Sequence, residues 1–163
     1  MRIALALIIC VVLSLGANAQ VTTSGLSNAQ ALNQGVQGLG FAGSLSTGLG
    51  VSYRYHLPSK TSLQGVFGIF KSSGKLSLSL GGEYQYDLVR GNETRFFFVG
   101  GGSYFYSGSS RNELDAPFRV GVGIGGEFRV RESIHLSFAG LYTFLSDGTV
   151  YPLPQISAHY YFF

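Results

Sequence analysis

Charged side chains that alternate with apolar residues form the first candidate site in this sequence of 163 residues. Arg54, Glu83 and Glu127 each occupy a polar position in an alternating segment, close to a turn signal. This placement predicts that they lie at one level inside the folded protein. Other charged residues predicted near that level are Arg95, Arg129 and Asp87. Buried charges must pair, so these residues predict an ionic network. Two hypotheses remain for its role: a static plug that stabilises the fold, and a switchable gate.

A histidine and a serine form the second candidate site. His135 is followed by Ser137, and both take the polar phase of their segment, which predicts that they share the inner face. A serine becomes a nucleophile when a histidine accepts its proton and an acidic residue orients that histidine. The alternative interpretation is a packed histidine and serine without a catalytic role.

Several other kinds of site are not predicted. His56 and His159 each lack a second ligand at a usable spacing, so no metal site is expected. The one cysteine is Cys10, near the amino terminus. The glycine-rich stretches 100–102 and 121–126 lie within predicted strands that no helix follows, so they do not predict a phosphate loop. No cofactor is therefore expected.

The composition disfavours an ordinary soluble domain. Only 12% of the residues are charged, whereas 14% are aromatic and 24 are glycine. The formal net charge of +3 comes from few charges of either sign. Without a basic patch, nucleic acid is not predicted as a partner.

The amino-terminal segment predicts export from the cytoplasm. Residues 1–19 combine a positive start, a short apolar run and a final Ala-Asn-Ala, which is the pattern of a removable signal peptide. The apolar run is too short for a spanning helix, which needs ~20 residues. Acylation of Cys10 is the alternative, but bulky Ile9 disfavours it. Residues 20–36 are rich in Ser, Thr, Asn and Gln and predict a flexible periplasmic tail.

From residue 37 onward, large apolar residues recur with a period of two, the pattern of a two-faced β-strand. Turn signals separate the alternating runs. The predicted strands are 37–45, 49–57, 61–71, 75–88, 95–106, 118–130, 134–144 and 155–163. We therefore predict one all-β domain over residues 37–163, an eight-stranded antiparallel up-and-down transmembrane β-barrel.

The chemistry of the two strand faces favours a barrel in lipid over one in water. The polar face consists mostly of glycine and serine, which suits a narrow, filled lumen. Aromatic residues such as Tyr84 and Tyr142 cluster near both strand ends, as at a bilayer interface. The longer breaks, 107–117 and 145–154, are predicted on the outer side, with both chain ends in the periplasm. A sandwich core of aromatic residues is the alternative.

The export signal, the alternating strands and two short segments give the chain a resemblance to the small OmpA/OmpX-type barrels of Gram-negative bacteria, over about residues 37–163. The two segments are Gly48-Leu49-Gly50-Val51-Ser52-Tyr53-Arg54-Tyr55 and the final Tyr160-Tyr161-Phe162-Phe163. The resemblance implies a place in the bacterial cell outer membrane, with outer-membrane lipid and lipopolysaccharide as partners. It also implies that the barrel-assembly machinery recognises the aromatic end. No external ligand is identified.

The resemblance implies a structural or surface-interaction role, with the lumen closed by side chains. A narrow porin-like channel is the first alternative, and a lipid A-modifying enzyme is the second. His135, Ser137 and the following Ala139-Gly140-Leu141 resemble a motif of the lipid A 3-O-deacylases. Where that family has its acidic residue, this sequence has Thr149. We therefore predict that the protein is not an enzyme.

Overall fold

The computed structural model describes residues 35–72, 74–91 and 93–162, and it forms a closed antiparallel β-barrel. Each strand pairs with its neighbours in chain order, and β8 closes on β1. The strands are β1 (Val36–Ser44), β2 (Gly48–His56), β3 (Thr61–Ser72), β4 (Lys75–Arg90), β5 (Thr94–Gly108), β6 (Phe118–Arg131), β7 (Ile134–Leu145) and β8 (Val150–Phe162). The predicted eight-stranded up-and-down barrel is confirmed.

Two predicted segments fall largely outside the described residues. The signal peptide, 1–19, lies wholly outside them, and so does most of the tail predicted over 20–36. Of that tail the structure describes residues 35 and 36, and Val36 is the first residue of β1. Both predictions otherwise stay predictions.

The start of β8 differs from the prediction. The strand begins at Val150, five residues before the predicted start at 155, and Pro152 and Pro154 pair with β7. The pairing of β8 with β1 begins only at Gln155. The two prolines therefore stand where β8 has no partner on its β1 side. A missing backbone N–H is tolerated on such an edge, which explains why prolines did not end the strand.

The two faces of the barrel have opposite chemistry. Alternating side chains that point outward are large and apolar, as Phe41, Ile124 and Tyr142 illustrate. The buried side chains are mostly polar or charged, and one small apolar cluster of Phe97, Val99 and Leu141 lies among them. No helix within the described ranges is long and apolar enough to span a membrane. The fold thus encloses a polar interior within an apolar exterior.

Neighbouring glycines on β5 test this assignment of faces. A Cβ on inward-facing Gly101 would lie 2.5 Å from the Gly82 carbonyl oxygen, whereas one on outward-facing Gly100 would meet only Val122, at 3.8 Å. We expect Gly101→Ala to lower the free energy of unfolding by about 1–3 kcal/mol through overpacking. Gly100→Ala should raise it by ~0.5–1 kcal/mol, because glycine weakens a strand interior. Urea titration of both variants measures the difference, and a reversed order would contradict the assignment.

Candidate functional site in the barrel lumen

The carboxylate of Glu127 lies at the centre of a buried ionic cluster. It forms an ion pair with the Arg54 Nη1 and accepts a bond from Arg95 Nη2 at 3.0 Å. Its other oxygen, Oε1, lies 3.0 Å from His135 Nδ1. The Tyr161 hydroxyl donates to both carboxylate oxygens, at 3.5 Å to Oε1 and 3.4 Å to Oε2. One side chain of β6 therefore binds groups from β2, β5, β7 and β8.

The strand order explains how these groups meet. Arg95 and Glu127 are register partners on the adjacent strands β5 and β6, so both point inward side by side. Arg54 lies on β2, which is diametrically opposite β6 in an eight-stranded ring. Its long side chain therefore crosses the lumen to reach Glu127. The interior of an eight-stranded barrel is just wide enough for such a contact.

The guanidinium of Arg54 is fully buried, with an exposed fraction of 0%, and its donors are satisfied around its whole edge. Its Nε donates to Gln64 at 2.7 Å, and Nη1 donates to the Tyr161 hydroxyl at 3.2 Å. Nη2 donates to Ser137 at 3.2 Å and to Ser157 at 3.1 Å. This set of partners fixes the Arg54 side chain in one orientation.

Arg95 extends the cluster toward the end of the barrel that carries the β4–β5 turn. It donates to Asp87 Oδ1 at 2.8 Å and to Gln85 at 2.7 Å, and its guanidinium stacks 4.6 Å from the centre of the Phe97 ring. Asp87 also pairs with Arg90, which follows a β-bulge between Asp87 and Val89. The bulge adds one residue to β4 and so changes which face the following side chains take.

The Tyr161 ring lies close to the rings of all three histidines of the chain. Its ring centre lies 5.1 Å from that of His56, 4.6 Å from that of His135 and 6.1 Å from that of His159. His56 Nε2 hydrogen-bonds the Tyr161 hydroxyl at 2.8 Å. Among the residues that the structure describes, no group of three or more metal-ligating side chains is arranged to hold an ion. The histidines thus belong to a hydrogen-bonded and aromatic cluster.

The predicted site residues divide into those that meet and those that do not. Arg54, Glu127 and Arg95 are in direct contact. Glu83 instead accepts bonds from the amides of Gln85, at 2.6 Å, and Gln155, at 2.7 Å. Gln64 on β3 is the register partner of both Arg54 on β2 and Glu83 on β4. Its side chain therefore lies between the other two and separates them. Arg129 forms no ion pair within 4.0 Å inside the described part of the chain.

The His135 and Ser137 pair differs from its predicted environment in one respect. The sequence places Thr149 where an acidic residue would be needed, but Glu127 on the neighbouring strand contacts His135 Nδ1. The spacing along one strand could not reveal this cross-strand partner. The Ser137 hydroxyl hydrogen-bonds Ser157 and Arg54, and no hydrogen bond joins it to His135 within the described part of the chain. The histidine is therefore not placed to accept a proton from the serine hydroxyl.

Two carboxylates stabilised by hydrogen bonds lie at the opposite end of the barrel, outside the lumen cluster. Lys75 donates to Glu113 at 2.7 Å, and this hydrogen bond lowers the pKa of the Glu113 carboxyl. Thr149 donates to Asp147, which lowers the pKa of that carboxyl. Because both values are depressed, any stabilisation is present above the unfolded-state pKa and is lost as pH falls through the folded-state pKa.

These two carboxylates provide a reciprocal test. We expect Lys75→Ala to return the pKa of Glu113 upward toward its ordinary range without moving that of Asp147. Thr149→Ala should do the opposite. Side-chain carboxyl NMR across an acid titration measures both values in each variant. Equal shifts of both carboxyls in either variant would contradict the local hydrogen bonds as the cause.

Comparisons with known proteins give a likeness of fold. No protein-family profile and no curated protein matches the sequence. The N-terminal β-barrel domain of Pseudomonas aeruginosa OprF superposes with a TM-score of 0.50 and 16% identity, over 80% of this chain and 98% of that chain. Ail of Yersinia pestis in a phospholipid nanodisc gives a TM-score of 0.44 and 14% identity, over 78% and 98% of the two chains. The likeness to OprF supports the eight-stranded barrel fold.

Proposed function

We propose that this protein is an integral β-barrel protein of the bacterial outer membrane, with a structural or surface-interaction role and a lumen closed by its own side chains. The observation that carries the proposal is that the apolar face of the barrel points outward and the polar face points inward, the reverse of a water-soluble protein. Outward-facing side chains are large and apolar along every strand, while Arg54, Glu127 and Arg95 are buried inside. A protein in water would expose that outer surface at great cost, whereas hydrocarbon solvates it.

Strand length and the position of aromatic residues support the same location. The strands have 9 to 16 residues, enough for tilted strands of about 9–11 residues to cross a hydrocarbon core. Tyr84 and Tyr86 lie exposed toward one end of the barrel, and Tyr142 and Phe144 lie exposed toward the other. Amphipathic rings favour the two membrane interfaces. Outer-membrane lipid, lipopolysaccharide and the barrel-assembly machinery are the partners we propose.

Membrane fractionation tests the location. The full chain should sediment with the outer membrane of a Gram-negative host, and the unheated protein should migrate faster on a gel than the heated protein. Recovery in the soluble periplasmic fraction would refute the proposal. Planar bilayer recordings test the closed lumen, since a steady open-state conductance would instead support the narrow channel.

We further propose that the protein has no enzymatic activity. His135 and Ser137 lie in a lumen crossed by Arg54, and the Ser137 hydroxyl bonds to other partners. Mass spectrometry of lipid A, from cells with and without the protein, tests this proposal. We expect identical lipid A masses. A mass change that His135→Ala abolishes would establish a lipid-modifying enzyme.

A further inference from the structure

The turn between β1 and β2, residues 45–47, places Ser46 and Thr47 inside the barrel, whereas the side chain of Leu45 is exposed. Ser46 and Thr47 both have an exposed fraction of 0%, although turns normally lie on the surface. β1 and β2 have only nine residues each, whereas β4 has 16 and β5 has 15. The short hairpin therefore ends below the rim, and its turn fills the mouth of the lumen.

Side-chain hydrogen bonds hold this turn against the barrel wall. Ser103 Oγ donates to the Ser46 carbonyl at 2.7 Å, and Arg119 Nη1 donates to the Leu45 carbonyl at 2.9 Å. Thr47 Oγ1 donates to Gln155 Oε1 at 3.0 Å. None of these three bonds is part of the backbone pairing of two strands, so breaking them leaves the register of the barrel in place.

The barrel wall that contacts the turn has glycine, and therefore no side chain, at two positions. Gly81 and Gly121 face the turn, and a Cβ on Gly121 would overlap the Ser46 hydroxyl. Nothing from these two positions interlocks with the turn. In addition, the buried hydroxyls of Ser46 and Thr143 have no hydrogen-bond partner among the described residues. The turn thus packs directly against glycine backbone, while one of its own hydroxyls lacks a hydrogen-bond partner within the described part of the chain.

A chain of hydrogen bonds links the turn to the ionic cluster. Thr47 donates to Gln155, and Gln155 Nε2 donates to Glu83 at 2.7 Å. The other oxygen of Glu83 accepts a bond from Gln85 at 2.6 Å, and Gln85 accepts one from Arg95 at 2.7 Å. Glu83 is therefore the link between the turn and the charged groups farther down the lumen.

We propose that residues 45–47 form a withdrawable plug, whose displacement opens this half of the lumen to water and small polar solutes. The Gln155–Glu83 link holds the plug in its closed position. The inference does not depend on the proposed function, because an outer-membrane barrel can have either a fixed or a withdrawable plug.

Thiol labelling tests the plug in the folded full chain, held in detergent micelles with Cys10→Ser removing the one native cysteine. Ser46→Cys is the reporter, because the Ser46 hydroxyl that it replaces has no hydrogen-bond partner among the residues that the structure describes. A hydrophilic maleimide should label this cysteine slowly. Ser137→Cys, buried in the ionic cluster, should stay unlabelled and so reports global unfolding.

Two glutamines provide the matched comparison. Gln155→Ala should speed labelling of Ser46→Cys about two- to tenfold, the factor that one net hydrogen bond contributes to an equilibrium. Gln64→Ala removes an equally buried glutamine that bonds Arg54 instead, and it should leave the rate unchanged. If Gln155→Ala does not fold, Arg119→Ala releases a different bond at the rim and should also speed labelling. No labelling at Ser46→Cys, equal rates in the glutamine variants, or equal labelling of Ser137→Cys would overturn the proposal.

Discussion

Replacing Glu127 with alanine should destabilise the barrel by about 3–5 kcal/mol, because it leaves a buried cation without its counter-ion. Arg54 is fully buried, and Glu127 is the carboxylate that pairs with it. Arg95 is affected less, since it keeps its ion pair with Asp87. The loss of stability therefore comes mainly from Arg54, whose buried guanidinium is left without a counter-ion.

Urea titration of the folded protein in detergent micelles, followed by the mobility of the unheated gel band, measures this loss. The double variant Glu127→Ala with Arg54→Met should recover most of it, because an apolar side chain of similar length needs no counter-ion. Glu113→Ala is the control, since its partner Lys75 lies in water and its loss should change stability little. If the double variant is no more stable than Glu127→Ala alone, the stranded charge is not the cause.

Replacing Ile124 with arginine should destabilise the membrane-inserted barrel by about 2–4 kcal/mol, the cost of a cation at the bilayer midplane. Ile124 lies in the middle of β6, points outward and has an exposed fraction of 64%. In a water-soluble barrel the same change would replace an exposed apolar group with a charged one. The sign of the effect therefore distinguishes a lipid-facing surface from a solvent-facing one.

Val130→Arg is the matched control for this variant. Val130 is also exposed on β6, but it lies near the strand end beside Arg129 and Arg131, where an arginine reaches the interface and costs about 0–1 kcal/mol. Unfolding in phospholipid vesicles should separate the two variants. Equal stabilities would contradict a bilayer around the middle of β6.

Period-two alternation predicted the fold because it reports directly on two unlike strand faces. The strands around Val120 and Ser52 show this clearly, since each apolar residue points outward and each polar one inward. The start of β8 was predicted five residues late, because Pro152 and Pro154 resemble a loop until the staggered ends of β1 and β8 are known. That stagger depends on barrel closure, which no local pattern contains.

The lumen cluster was predictable only in part. Alternation placed Arg54, Glu127 and Arg95 on the inner face, but it could not show which side chains meet across the barrel. Tyr161 escaped prediction because four consecutive aromatic residues hide the phase of the final strand. The inward turn at 45–47 was also missed, since its burial follows from unequal strand lengths in different parts of the chain.

Residues 150–154 of β8 pair with β7 but have no partner on the β1 side, so they form an open strand edge that another copy of the chain could contact. An open strand edge offers backbone donors and acceptors on which another polypeptide can grow as an additional strand. At Pro152 and Pro154 the donors are missing, so an incoming strand finds an interrupted ladder. The short first hairpin thus leaves a gap in the wall without creating a template for aggregation during assembly.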